Sequence, residues 1–379
     1  MENFTSYNPT ALHFGKDVLS TLGDTVNSYG KKALLVYGKG SIKENGIYNT
    51  VLQQLRLNGV MSVEYEGIKS NPVVEDVNRA ALLGKENEVD VIVAVGGGSV
   101  IDSAKIIALC IPGRFDGWDV MKRKVKPLSA LPIISVLTIA ATGTEMNPFA
   151  VIQNHKTNEK IGFGNSLVYP KHSFLDPQHT FSVSKAYTAY GIVDLIAHSL
   201  EAYFGMGNAS LSDRFVYSII KEAIEVAPIA LNEPHNYDAR AKIMWAATCA
   251  LNGMTLNGRK SGDWGVHDLG HTISMLYDIP HGASLSIAYP AWLRFQSNRI
   301  ENRITELGKN IFGVNSAEET INQLEIFFKS LESPVRLANV GINADKAPEI
   351  IALYKQNKVT GANHQLQDDD YEKIVQLML

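Results

Sequence analysis

Four of the ten histidines in this 379-residue chain fall in two short regions where their spacing suits a metal ion. Asp194 and His198 stand four residues apart in a helical pattern, so both side chains project from one face. His267 and His271 repeat that spacing in a second helical segment, and His281 follows ten residues later, just before Gly282. Neutral imidazoles with one carboxylate are a suitable ligand set for Fe2+ or Zn2+. A single carboxylate leaves the ion net positive, able to act as a Lewis acid where a coordination position stays open. Each pair alone fits an ordinary hydrogen-bonded helix pair or a satisfied core histidine. Their joint presence favours a metal centre. Spacing leaves open whether His267 or His271 ligates, and it fits a hydrolase site as well as a redox enzyme.

Two glycine-rich turns suggest a second kind of chemistry. Gly96-Gly97-Gly98-Ser99 follows an apolar run, and Val100–Leu109 then reads as a helix. Three glycines let the backbone approach a bulky anion and adopt φ values that other residues avoid. The free N–H groups of the helix start face that anion, and a pyrophosphate is a fitting occupant. A tight turn without ligand has the same local sequence, and Ile101 stands where the usual dinucleotide fingerprint has its third glycine. The other turn, Gly38-Lys39-Gly40-Ser41, ends the run Ala33–Tyr37, with Lys43 close behind. Dinucleotide folds often place an acidic residue near a strand end to hold the ribose hydroxyls. Glycine and lysine there suit a ribose 2′-phosphate better than a bare diol, although a solvated loop lysine is the plainer reading.

The elements that must position these groups divide the chain. Ala33–Tyr37, Val89–Val95 and Ile133–Thr138 are apolar runs without polar alternation, as in parallel strands covered on both faces. Helical patterns over Asn45–Asn58 and Glu75–Asn87 lie between them, so βαβ units are expected. The runs are too far apart for hairpins. Beyond residue 180, Ser182–Phe204, Ser210–Leu231, Asp238–Leu256 and Ala317–Lys329 read as successive helices. The expected boundary is near Asp176–Thr180, giving an α/β dinucleotide-binding domain, 1–178, and an all-helical metal- and substrate-binding domain, 179–379.

Composition narrows the partners. A chain of 379 residues exceeds the usual growth limit of one core, which predicts two domains. With 45% hydrophobic and 20% charged residues it reads as soluble and globular. A net charge of −4 offers no electrostatic footprint for nucleic acid or an anionic membrane. Cys110 and Cys249 are too few for a disulfide framework, Met1–Thr10 lacks the pattern of a secretory leader, and no apolar stretch suits a membrane span. A cytoplasmic location is expected.

Taken in order, these motifs make the chain resemble the iron-containing (group III) alcohol dehydrogenases. The resemblance is nearest to their NADP-dependent butanol dehydrogenase and broad-range aldehyde reductase branch. It covers essentially the whole chain, through Tyr7–Thr10, Phe14–Lys16, Tyr37–Lys43, Asn71-Pro72, Gly96–Lys105, Thr138–Glu145, Asp194–His198, His267–His271 and Pro280–Gly282. It implies a Rossmann-like parallel-sheet domain followed by an all-α domain, a dehydroquinate-synthase-like architecture. It also implies Asp194, His198, His267 and His281 as metal ligands, with His271 the unligated histidine beside the substrate. Gly97, Gly98 and Ser99 would bind pyrophosphate, Asp102 would lie near the nicotinamide, and Asn71, Thr138, Asn147 and Lys160 would be further cofactor contacts. NAD-dependent relatives tend to carry Asp at the position of Gly38, so Gly38 and Ser41 agree with NADP. Ala141 and Thr144 depart from the common family loop, which has Gly and Ser there.

The implied activity is NADP(H)-linked interconversion of short-chain primary alcohols such as butanol and their aldehydes. It needs one divalent ion, Fe2+ or Zn2+, in a protein expected to be a homodimer. A polyol dehydrogenase of the same fold is one alternative. A metallohydrolase would leave both glycine turns without a role, and a non-catalytic metal-binding module would explain only the helical half. Trp118, Phe149 and Trp264 suit packing as well as an apolar pocket.

Overall fold

Strands buried on both faces need no polar alternation, and the interior of the sheet follows that rule. The computed structural model describes residues 1–379. Its strands are β1 (Ala11–Phe14), β2 (Lys32–Tyr37), β3 (Met61–Glu66), β4 (Val91–Gly96), β5 (Ile133–Leu137), β6 (Phe149–Asn154), β7 (Glu159–Gly164) and β8 (His172–Leu175). Six form one sheet in the order β1-β8-β5-β4-β2-β3, parallel throughout. All of β4 and β5 is buried, as is β2 beyond Lys32. Edge strand β3 instead alternates exposed and half-buried residues, and β1 and β8 have only four residues each. That is why only β2, β4 and β5 stand out as apolar runs.

The helices of this unit are α1 (Leu22–Asn27), α2 (Ser41–Glu44), α3 (Ile47–Leu57), α4 (Val74–Glu86), α5 (Gly98–Gly113) and α6 (Gly117–Met121). Leu22, Val26, Val51 and Leu55 pack with Leu35, Val93, Val136 and Phe174 in one buried cluster. Each such side chain contributes roughly 1.5–3 kcal/mol when fully buried. One feature escaped the periodicity reading. β6 and β7 form a separate antiparallel pair, closed by a short turn with Asn158 at φ 52°. Their sequences mix polar and apolar residues too evenly to announce strands.

The second unit holds α7 (Lys185–Tyr203), α8 (Ser210–Asn232), α9 (Tyr237–Leu251), α10 (Gly265–Tyr277), α11 (His281–Gln296), α12 (Glu301–Ile311), α13 (Ala317–Ser330), α14 (Ala347–Asn357) and α15 (Asp370–Met378). It contains no strand, only an isolated bridge between Met206 and Ser261. No helix is long and apolar enough to cross a membrane. By contacts the chain divides into Tyr7–Val183 and Ser184–Leu379, the latter joined by Met1–Ser6. The division lies past the expected 178/179, for a local reason. Asp176 accepts from the Gln178 N–H at 2.9 Å and from the Asp17 N–H at 3.0 Å, which ties the Pro177–Thr180 turn back to the first unit.

Glycines let three helices of the second unit meet closely. A Cβ on Gly282 of α11 would fall 2.2 Å from the Tyr190 carbonyl of α7, and one on Gly270 of α10 would fall 2.9 Å from Ser284 Oγ of α11. Those contacts set the frame for the histidines.

Candidate metal centre and dinucleotide cradle

Asp194 and His198 lie one turn apart on α7, both buried. His267 sits in the first turn of α10, and His281 is the first residue of α11. One oxygen, Asp194 Oδ1, is 3.7 Å from His198 Nδ1, 3.9 Å from His267 Nε2 and 3.7 Å from His281 Nε2. Asp194, His267 and His281 each offer one donor atom, all within 4.8 Å of one another. His198 stands beside this trio, its ring stacked 4.6 Å from that of His267. Bonds of about 2.1 Å to a tetrahedral ion put donors roughly 3.4 Å apart, so the three distances from Asp194 Oδ1 need contract only slightly. Asp194 Oδ1, His198 Nδ1 and His267 Nε2 are buried without a hydrogen-bond partner. Three such atoms converging on one space are costly by themselves, and a cation satisfies all of them. The residues fit a divalent ion.

His271 lies one turn beyond His267, its ring 5.0 Å from that of His281 and 6.1 Å from that of His267. It is outside the trio. Of the three aromatic residues noted in the sequence, Trp264 packs against His267 at 5.5 Å and His198 at 6.3 Å. Trp118 is buried in α6, and Phe149 is partly exposed at the start of β6.

Sequence reasoning missed Glu201. It is 1% exposed on α7, and its Oε1 accepts from His267 Nδ1 at 2.8 Å and from the His267 backbone N–H at 3.0 Å. The other oxygen accepts from the Trp264 N–H. Trp264 caps α10 at φ 68° without any side-chain cap of its own, so Glu201 supplies the cap from α7. The same carboxylate fixes the His267 ring with Nε2 toward Asp194, the carboxylate–histidine arrangement typical of metal sites. The available signal was an acidic residue one turn past His198 in an otherwise apolar stretch, where a charge is rarely buried unpaired. Burial pushes the Asp194 carboxyl up, but His198, His281 and His267 around it outweigh burial and hold it low. Burial lowers His198, whereas at His267 the carboxylates of Asp194 and Glu201 outweigh burial and raise it.

The cradle at β4 is built from space. None of Gly96, Gly97 and Gly98 has positive φ, which corrects the expectation that they serve unusual backbone angles. A Cβ on Gly98 would instead fall 2.6 Å from Thr142 Cγ2, and one on Gly97 would fall 3.2 Å from Ile139. Gly97 caps the sixteen-residue α5, whose first-turn N–H groups are those a helix leaves without intrahelical partners. The Ser99 hydroxyl donates to the Ser70 carbonyl, and the Thr138 N–H donates to the Gly96 carbonyl at 3.1 Å.

Fully buried Lys105 organises the adjoining groups. Its Nζ donates to Thr144 Oγ1 at 2.6 Å, Asn147 Oδ1 at 3.1 Å and the Phe149 carbonyl at 2.6 Å. Thr144 in turn donates to Asp102 Oδ1 at 2.6 Å, and Asp102 Oδ2 accepts from the Val151 N–H at 2.9 Å. The hydroxyl retained at Thr144 is therefore in use. Burial pulls the Lys105 ammonium down to about 8. Lys160 on β7 donates to Asn71 Oδ1 at 2.8 Å. At the first turn, Ser41 opens α2, and a Cβ on Gly38 would meet only the Ile68 carbonyl, at 3.5 Å. Lys43 is engaged by Glu66 at 2.8 Å.

Residues 9–177 match the family model for iron-containing alcohol dehydrogenase, and residues 188–379 match that for the Fe-containing alcohol dehydrogenase family, C-terminal. The chain is 41% identical over 388 residues to the probable NADH-dependent butanol dehydrogenase 1 of Bacillus subtilis, with all of both chains covered. It is 33% identical to the NADPH-dependent aldehyde reductase YqhD of Escherichia coli, with 99% of each covered. The crystal structure of NADH-dependent butanol dehydrogenase A from Thermotoga maritima superposes with a TM-score of 0.97 at 37% identity, covering 100% of this chain and 99% of that one. With both halves matched and the fold shared throughout, the chain belongs to the iron-containing alcohol dehydrogenase family and is an NAD(P)-dependent oxidoreductase acting on the CH–OH group of alcohols.

Proposed function

We propose that this dehydrogenase interconverts short-chain primary alcohols such as butanol and their aldehydes, with one Fe2+ or Zn2+ held by Asp194, His198, His267 and His281. The observation that carries the proposal is the convergence of three imidazole nitrogens on the single oxygen Asp194 Oδ1. When bound, the ion supplies Lewis-acid polarisation at the substrate oxygen, and the nicotinamide supplies or accepts hydride. Glu201 keeps His267 oriented for that ion. Gly97, Gly98 and Ser99 receive the pyrophosphate at the start of α5. Lys105 holds Asn147 directly and Asp102 through Thr144, and Lys160 is held by Asn71. His271 gives or takes the substrate proton at a ring nitrogen, as a relay beside the ligands.

NADPH was the coenzyme expected from Gly38, Lys39, Ser41 and Lys43. The engagement of Lys43 by Glu66 weakens that basis, and the relatives at 41% and 37% identity are named NADH-dependent. We infer that NADH is the better coenzyme. The reading also includes a cytoplasmic homodimer. Cys110 and Cys249 are buried and form no disulfide, the state a reducing compartment maintains, and sedimentation equilibrium measures the assembly.

Reconstituting metal-stripped protein with Fe2+ or Zn2+, then adding butanal and NADH or NADPH, tests the activity by nicotinamide absorbance. Oxidation of the coenzyme that needs both ion and aldehyde is expected. Turnover of polyols alone would move the substrate to the polyol class, and ion-dependent hydrolysis without coenzyme would reject a dehydrogenase.

A further inference from the structure

The usual carboxylate at the end of a ribose-binding strand is absent from β2, which runs into Gly38. Neighbouring strand β3 supplies one. β2 and β3 pair in parallel with Tyr37 opposite Glu66, the last residue of β3. Gly67, at φ 108°, then donates its N–H to the carbonyls of Tyr37 at 3.1 Å and Gly38 at 3.2 Å, which pins Glu66 to the end of β2. Glu66 Oε1 lies 3.8 Å from the place a Cβ on Gly40 would take, so it flanks the turn itself. Its other oxygen binds Lys43 Nζ at 2.8 Å, and that ammonium lies 5.2 Å from the Tyr37 ring centre and 5.4 Å from that of Tyr48. Glu64, two residues earlier, accepts from the Tyr37 hydroxyl at 2.8 Å and the Tyr48 hydroxyl at 2.9 Å. Lys43, just beyond the turn, is thus neutralised by a partner that remains 47% exposed.

We propose that Glu66 determines coenzyme preference, accepting from a free ribose hydroxyl and repelling a 2′-phosphate. This rests on the Gly38–Ser41 turn receiving the adenosine ribose of a dinucleotide, as in the function proposed above. Charge drives the discrimination, so it weakens as salt screens the exposed carboxylate.

Isothermal titration of the full-length protein, wild type and Glu66→Gln, with NADH, NADPH, AMP and adenosine 2′,5′-bisphosphate separates the possibilities. The wild type should bind NADH more tightly than NADPH. In Glu66→Gln, NADPH affinity should rise relative to NADH by about tenfold, the scale of one charged contact, and adenosine 2′,5′-bisphosphate should gain on AMP in parallel. Glu66→Ser, equally free of charge, should behave the same way. An unchanged ratio in both variants overturns the proposal. A shift toward NADH also overturns it, since Glu66 would then be holding Lys43 for a phosphate. If neither dinucleotide binds the wild type, the dinucleotide reading of the turn fails, and this proposal with it. Binding without any Glu66 effect rejects the proposal alone.

Discussion

On α7, α10 and α11 the chain drives side chains into a closed space, and at the turns after β2 and β4 it removes them. Asp194, His198, His267 and His281 are brought within a few ångströms by helices whose close approach depends on Gly270 and Gly282. One of them, His267, is held in turn by a further buried carboxylate, Glu201. Around Gly97 and Gly98 the backbone carries no side chains, and the room itself is the feature. At the turn after β2, charge sits on an exposed pair, Lys43 and Glu66. A site made of buried side chains should lose its function outright when one is removed. A site made of space should respond in graded fashion to added atoms, and its exposed charges should tune preference without affecting folding.

The most severe test of that contrast is removal of a proposed ligand. His198→Ala or His267→Ala should abolish turnover and leave the reconstituted protein short of metal by elemental analysis. Either variant with normal metal and activity would remove the centre as described. Next, His271→Ala should keep its metal and lose ~10²–10⁴-fold in kcat, the worth of positioned acid–base catalysis. Loss of metal in that variant would exchange the roles of His271 and His267.

Glu201→Gln sharpens the comparison within the buried site. It should weaken metal affinity by about 10–100-fold in a chelator competition, the usual effect of a ligand's hydrogen-bonding partner. On the other side, Gly98→Ala introduces a Cβ 2.6 Å from Thr142 Cγ2. Overpacking of this kind costs ~1–3 kcal/mol, so the Kd for dinucleotide should rise by about tenfold or more while metal content stays constant. An unchanged Kd would mean that the turn is simply a tight connection. The smallest effect is expected from Gly38→Asp, where the added Cβ meets nothing closer than 3.5 Å. With Glu66 already present, the NADH-to-NADPH ratio of kcat/KM should grow by no more than about tenfold, the lower end for one charged hydrogen bond. A move toward NADPH would place the ribose away from this turn.

The sequence alone determined what backbone periodicity controls. Asp194 and His198 share a helix face, as do His267 and His271, because 3.6 residues complete a turn wherever the helix lies. β2, β4 and β5 were legible because a doubly covered strand is apolar at nearly every position. The same rule was blind to β3, β6 and β7, whose mixed sequences become strands only through their neighbours. Tertiary structure decided which histidine joins Asp194 and His281, since that depends on how α10 meets α7 and α11. It also decided that Glu201 orients a histidine 66 positions away, and that Lys43 faces Glu66 across 23 positions instead of waiting for a phosphate. Spacing along one element is set by bonds and dihedral angles, whereas partners across elements are set by packing. A charge seen in the sequence acquires its meaning only when its partner is known.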